Sequence, residues 1–408
     1  MTMRIGRRNV LLGSVGVALG GISARVLAEA TRLHVGVVGA GIVGASTAFH
    51  LARAGARVSV FDAAGPAQGA TRNSFAWLNA LVPDRRYRDL RLASLAAYHE
   101  LNAPLNLGII WGGYLQWARD ETGRTAVDAT LEQLQDLPSA ARRVDLGGIL
   151  AISPQLEPGP ISAAAYSAID GHLNPVWVTR QFLEGAQSLG ARVRYPCRVR
   201  AIDVRGRKLR GISTSDGFVR LDRVVVAAGV DSPHLLAQAG FTLPLRHAPG
   251  LLAHSVPMPS LTRVIHDAPA GTGFKQMADG HFVAYETSEP PDVPAHAAIR
   301  RSRVEFPSDA LRVEHGQRIL RKLAAFLPPA RDLALARVTL GFRPMPIDEH
   351  PVLGAVPHAR DVFVAVTHSG VTLAPIIGRS IAEEVVGGSR LELLAPYRPE
   401  RFRTAAHA

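Results

Sequence analysis

The chain has 408 residues, 47% hydrophobic and 20% charged, enough apolar material for two or three packed domains, which excludes a disordered polymer. Its formal charge of +12 comes almost wholly from Arg, only Lys208, Lys275 and Lys322 being Lys; the arginines are scattered, which excludes a concentrated nucleic-acid-binding face and leaves a mild attraction to anionic substrates or surfaces. The single cysteine, Cys197, excludes a disulfide framework and a cysteine-built metal site, and no metal site is expected.

At the N-terminus, Arg4, Arg7 and Arg8 precede an apolar run from Val10 to Ile22 and a small-residue stretch at Val26-Leu27-Ala28. This is the three-part layout of a secretory signal. The adjacent Arg7-Arg8 has the form of a twin-arginine export signal. Residues 1–30 are therefore expected to direct export, to the periplasm in a two-membrane cell. The alternatives are an uncleaved anchor, for which the run is short, and a structural extension of a cytoplasmic protein.

Next, Leu33 to Val38 is apolar and β-branched and reads as a buried parallel strand. A glycine-rich turn follows, then a helix from Ala45 to Ala54 stopped by Gly55. Val58 to Phe61 is a second strand, completing a βαβ unit. Helices are predicted at Tyr87–Leu101, Ala126–Leu137 and Val176–Leu189, with a strand at Trp111–Ala118. Short strands are predicted at Val193–Val204, Lys208–Thr214, Phe218–Leu221 and Arg223–Ala228. Residues 246–335 are rich in Pro, Gly and His and carry one clear helix, Glu314–Phe326. A buried strand at Asp361–Thr367 and a helix at Gly370–Val386 close the chain.

Gly39-Ala40-Gly41-Ile42-Val43-Gly44 is a G-x-G-x-x-G dinucleotide fingerprint, placed after a buried strand and at a helix start. Gly39 permits the tight turn, Gly41 lets a pyrophosphate approach the backbone, and Gly44 lets helix and sheet pack closely. The helix N-terminus offers free N–H groups to the phosphates. Asp62 ends the second strand, 18 residues after Gly44, placed for a ribose hydroxyl. The motif alone does not separate FAD from NAD.

Five further segments, in order, resemble the D-amino-acid, glycine and sarcosine oxidase family of flavoproteins. They are Gly69-Ala70-Thr71-Arg72-Asn73-Ser74-Phe75-Ala76-Trp77; Asp170-Gly171-His172-Leu173-Asn174-Pro175; Val224 to Ser232; Gly341-Phe342-Arg343-Pro344 with Asp348, Pro351, Leu353 and Gly354; and His368-Ser369-Gly370-Val371-Thr372-Leu373-Ala374-Pro375. The resemblance spans residues 33–390. It implies an α/β (α+β) fold in which a Rossmann-like FAD-binding domain (31–105, 170–245 and 336–408) interleaves with a substrate domain (106–169 and 246–335) carrying a large antiparallel sheet. It implies FAD, held without a covalent link because Gly341 stands near the position where flavin-attaching members have Cys.

The same resemblance assigns roles. Thr71, Arg72, Asn73 and Ser74 run along the flavin. Val199, Ala228 and Gly229 lie beside the cofactor. Gly370, Val371, Thr372 and Leu373 start a helix whose dipole faces the flavin carbonyl edge. Arg343 grips a substrate carboxylate, with Asp348 as the alternative, purely structural partner, and His368 stands at the reacting centre. His247, His254, Tyr114 and Tyr285 are further candidates for lining the pocket. Two departures stand out: Asp62 replaces a more usual Glu, and a second Arg of glycine oxidase, in the segment matching 368–375, is absent. The implied activity is oxidation of the C–N bond of a small amine or amino acid, with oxygen, a carrier or a membrane quinone as electron acceptor. A flavin-binding partner protein without activity is the alternative from another class.

Overall fold

The computed structural model describes residues 33–137, 140–286 and 308–405. The export signal expected in residues 1–30 lies outside them. Five helices organise the core: α1 (Ile42–Arg53), α2 (Arg85–Asn102), α3 (Pro175–Ser188), α4 (Asp309–Ala324) and α5 (Gly370–Gly387). Most of them begin earlier than apolar periodicity predicts, because their polar caps extend the first turn. Asp84 accepts from Tyr87 N, Asn174 from Val176 N and Trp177 N, and Ser308 from Leu311 N. The helix expected at Ala126–Leu137 likewise begins at Glu121, behind Asp120, and ends at Gln133.

A six-stranded sheet runs in the order Val352–Val356, Ala359–Val366, Arg223–Val226, His34–Val38, Arg57–Phe61, Arg192–Arg194. All its pairs are parallel except the hairpin at the first edge. Its inner strands are valine runs because both faces are covered; Val35, Val37, Val224, Val225, Val226, Val362 and Val364 are all fully buried. On one face α1, α3 and α5 complete the largest core cluster. On the other, the meander Val199–Arg205, Lys208–Thr214, Gly217–Arg220 and the helix Ser232–Ala237 close a second. The strand expected over Val193–Val204 divides at Tyr195-Pro196, where proline lacks the N–H a ladder needs. Its first part becomes the sheet's outer edge, guarded by exposed Arg192 and Arg194.

An eight-stranded sheet runs in the order Leu335–Phe342, Pro249–Ser255, Phe282–Glu286, Thr272–Gln276, Ile265–Ala268, Tyr114–Ala118, Ala163–Ser167, Ala141–Arg143. Two features differ from expectation. The sheet is mixed, because Ile265–Ala268 and Tyr114–Ala118 pair in parallel where two antiparallel blocks from separate chain segments meet. The strand Leu335–Phe342 belongs to this sheet, so the domain boundary placed at 336 falls inside a substrate-domain strand. The strand expected from Trp111 starts only at Tyr114, since Gly112 packs against Arg263 backbone and Gly113 has φ +82°. α4 covers one face, its Ile319, Leu320 and Leu323 packed with Ala253, Phe274 and Phe282.

Candidate active site

The first wall of the site is the turn between His34–Val38 and α1. Gly39 takes φ +105°, and a Cβ there would lie 2.4 Å from the Ala227 carbonyl oxygen. The N-cap of α1 is Gly41, which has no side chain to satisfy the first-turn N–H groups. Among the described residues only Ile42 N finds a side-chain acceptor, the Thr71 hydroxyl at 3.1 Å. Asp62 stands beside the turn. One of its oxygens accepts from Ala40 N at 2.7 Å and the other from Ala64 N and Gly65 N at 2.9 and 2.8 Å. A carboxylate has about four lone-pair sites, so room remains for one hydroxyl donor.

The opposite wall is the N-terminus of α5, where Gly370, Val371 and Thr372 face the same cavity. Among the described residues no side chain caps this helix either. α2 fastens it: Ser94 Oγ donates to Thr372 O at 2.7 Å and Tyr98 Oη to Val371 O at 2.6 Å. Arg91 donates to Ser369 Oγ and Asn79 Oδ1, both at 2.7 Å. With its carbonyls held from behind, the first turn presents its N–H groups forward.

The third wall comes from the eight-stranded sheet. Arg343, at the end of Leu335–Phe342, opens onto the cavity. Its side chain is exposed to the cavity space, yet the surrounding walls lower its pKa by desolvation, and Arg246 adds to this while Glu349 opposes it. An Arg remains charged in any protein setting. Among the described residues its guanidinium has no hydrogen-bond or ion-pair partner. Asp348, the alternative partner, instead accepts from Arg401 at 2.7 and 3.2 Å. Aromatic rings complete this end: Phe75 meets Tyr285 edge-on at 4.7 Å, and His247 lies 5.1 Å from Phe342. His368 is pushed down to about 4, first by burial and then by Arg91, Arg343 and Arg246.

The cavity measures about 1190 Å³, above the roughly 300–1,000 Å³ of ordinary small-ligand pockets. Of the residues assigned from sequence, Gly39, Gly41, Ile42, Val43, Asp62, Thr71, Asn73, Ser74, Val199, Ala228, Gly229, Gly370, Val371, Thr372, Arg343 and His368 all line it, as do His247 and Tyr285. Six do not. Ala40 and Leu373 are fully buried behind the wall. Gly44 serves packing, since a Cβ there would sit 2.0 Å from Gly39 O. Arg72 is exposed and donates to Gln68, which lines the cavity in its place. His254 lies opposite Thr339 at 3.1 Å, away from the cavity. Tyr114 stacks behind Trp77 at 4.6 Å and donates to Asp267 at 2.7 Å.

Sequence reading passed over Arg91, Asn79 and Lys275. Arg91 carried a signal: it sits on the buried stripe Tyr87, Leu90, Ser94, Leu95, Tyr98, Leu101 of an amphipathic helix, where a charge needs a reason. Lys275 is buried in Thr272–Gln276, donates to Ala76 O at 3.2 Å and lies 4.9 Å over the Phe75 ring; burial drives its pKa well down.

Two uncapped helix N-termini, a glycine turn with no side chain in the way, and a carboxylate with one free acceptor position suit a pyrophosphate and a ribose. The volume suits a whole dinucleotide with a substrate chamber beyond it. The residues present therefore fit FAD. Comparison with known proteins agrees. The profile of the FAD dependent oxidoreductase (DAO) family matches residues 34–384. A glycine oxidase of Bacillus licheniformis is 26% identical over 385 residues, covering 91% of this chain and 98% of its own. Among solved structures, the glycine oxidase of Geobacillus kaustophilus superposes with a TM-score of 0.79 at 22% identity, covering 90% of this chain and 99% of its own. The L-proline dehydrogenase of P. horikoshii also reaches 0.79 at 20% identity, covering 91% and 98%.

Proposed function

We propose, for a chain that belongs to the FAD-dependent oxidoreductase (DAO) family, that it oxidises the C–N bond of a small amino acid or amine carrying a carboxylate, using non-covalently bound FAD. The observation that carries this reading is Arg343, a charged group on the cavity wall with no partner among the described residues. A planar guanidinium suits two-point binding of a carboxylate. The relatives' names point the same way: one is a glycine oxidase and another an L-proline dehydrogenase.

Bound FAD supplies the hydride acceptor, and the protein's part is to bind, orient and tune. Arg343 anchors the carboxylate. Phe75, Trp77, Tyr285 and Phe342 line the chamber with rings. The N–H groups of Gly370 to Thr372 favour negative charge where they point. His368, depressed to about 4, stays neutral at pH 7 and offers a hydrogen bond.

The test is anaerobic mixing of the yellow protein with a panel of amino acids, N-alkyl amino acids and carboxylate-free amines. Bleaching by carboxylate-bearing amines supports the reading; bleaching only by carboxylate-free amines, or by none, overturns it. Admitting oxygen then separates an oxidase, which regains colour quickly, from a dehydrogenase that needs a carrier or membrane quinone. We further propose export through Arg7-Arg8, with FAD loaded before transport, because its site is assembled from segments as distant as Gly39 and Thr372. Full-length protein found in the cytoplasm for both wild type and Arg7→Lys/Arg8→Lys would remove that proposal.

A further inference from the structure

Arg91 is 6% exposed and shares the cavity wall with Asn79, Ser369 and the first turn of α5. Its two terminal nitrogens donate to the neutral acceptors Asn79 Oδ1 and Ser369 Oγ, and one approaches Tyr87 Oη at 3.5 Å. The Tyr87 ring lies 4.7 Å from its guanidinium carbon. Its Nε is buried without a partner among the described residues. No carboxylate forms an ion pair with it among the described residues. The other deeply buried arginines differ: Arg398 is paired with Glu384 and Arg88 with Asp136. The Asp170 carboxyl feels the Arg91 charge but makes no ion pair with it, and a buried guanidinium with no ion-paired carboxylate is unfavourable unless negative charge is brought to it.

The charge reaches into the cavity. After burial, Arg91 is the largest influence that lowers the pKa of His368. Its hydrogen bond to Ser369 fixes the N-cap of α5, whose first-turn N–H groups have no side-chain cap. A cation and a positive dipole end therefore add at one place on the wall.

We infer that Arg91 is a positioning residue that holds a permanent positive charge behind the N-terminus of α5, and that this charge stabilises the negative charge a reduced flavin carries. Arg91 thus tunes the redox potential of the bound cofactor and leaves the substrate carboxylate to Arg343. The inference rests on the FAD part of the proposed function and not on the amine part.

The readouts need no amine. Sulfite adds to oxidised flavin and leaves negative charge on the ring, so its dissociation constant reports the local field; the two-electron midpoint potential reports it independently. In FAD-saturated protein, Arg91→Gln is expected to raise the sulfite constant about tenfold and to lower the midpoint by about 30 mV, the equivalent of a tenfold change. Arg91→Lys keeps the charge and is expected to stay close to wild type in both. Unchanged values in saturated Arg91→Gln overturn the inference. So does an Arg91→Lys shift as large as that of Arg91→Gln, which would mean packing and not charge. Should Arg91→Gln fail to hold FAD, Asn79→Asp decides: it places a carboxylate against Arg91 and is expected to reproduce the same weakening, and no change there overturns the inference.

Discussion

The indole Nε1 of Trp77 donates to Asp170 Oδ2 at 2.6 Å, joining a ring on the cavity wall to a carboxyl that is wholly buried 93 residues further along the chain. Ser167 donates to the other oxygen at 2.5 Å. Burial raises Asp170 to about 7, against the opposing pull of these two hydrogen bonds and of the Arg91 charge. The pair fixes the orientation of a ring on the cavity wall.

That raised value has a definite sign in stability. A carboxyl that binds its proton more tightly when folded contributes fully below about pH 4, and the contribution is lost as pH rises through about 7. Asp170→Asn removes this dependence while keeping an acceptor for Trp77. The difference in urea unfolding free energy between wild type and Asp170→Asn is expected to vary between pH 4 and pH 7 and to be flat above. A constant difference across that window would mean that Asp170 is ionised throughout.

Buried histidines act in the opposite direction. His50, His254 and His266 are pushed down to about 3, by burial first in each case. Their contribution is present above pH 6.5 and is lost as pH falls towards 3. Acid unfolding is therefore expected to begin below pH 6.5. His266, which stacks on Phe274 at 4.6 Å, is the cleanest probe. His266→Gln is expected to flatten the pH profile of the melting temperature between pH 6 and pH 4, even if it lowers stability at neutral pH.

Arg343→Ala is expected to reduce kcat/KM for carboxylate-bearing substrates by roughly a hundredfold, the loss of one charge-assisted pair. FAD content should be unchanged, because the residues fitted to the cofactor are the N-termini of α1 and α5 and Asp62, none of which contacts Arg343 through a hydrogen bond or ion pair. Steady-state kinetics with the flavin absorbance as an occupancy check would decide. A variant that loses its flavin would instead place Arg343 among the residues holding the cofactor.

Acid precipitation of the yellow protein is expected to release all colour to the supernatant. Gly341 offers no attachment atom, and a Cβ there would lie 2.6 Å from Asn73 Cβ. Gly341→Ala is accordingly expected to displace the Gly69–Ser74 segment and to lower the FAD retained through gel filtration. Equal retention would show that Asn73 moves aside without cost.

Glu384 and Arg398 form a buried ion pair with two hydrogen bonds, tying α5 to the chain end. Removing one partner of such a pair costs about 3–5 kcal/mol. Glu384→Gln leaves the Arg398 charge behind and is expected to show a loss of that size in urea unfolding. A loss under about 1 kcal/mol, the range of exposed pairs, would mean that water reaches the site.

Much of the nucleotide side was legible in the sequence. The valine runs identify parallel strands because a strand covered on both faces has no polar positions. Gly39, Gly41 and Asp62 are local requirements of one turn, readable from consecutive residues. Helix bodies followed from periodicity, while their starts were misjudged where Asp84, Asp120 and Ser308 act as caps. Arg72 was assigned by its neighbours in the motif, but a single residue's direction depends on the turn it sits in, and it faces solvent.

What the sequence by itself determined is therefore the set of locally encoded parts: the βαβ fingerprint, the apolar strands, the helix bodies and the residue types able to bind a dinucleotide and a carboxylate. Tertiary structure alone decided which of those parts meet. Only packing brings Arg91 to Ser369, 278 residues away, or Asp170 to Trp77. Only sheet register turns Tyr285 towards the cavity and leaves Tyr114 behind Trp77. The physical reason is that a strand's side chains alternate between faces, so the face open to a ligand is set by the partner strands and not by the strand's own residues.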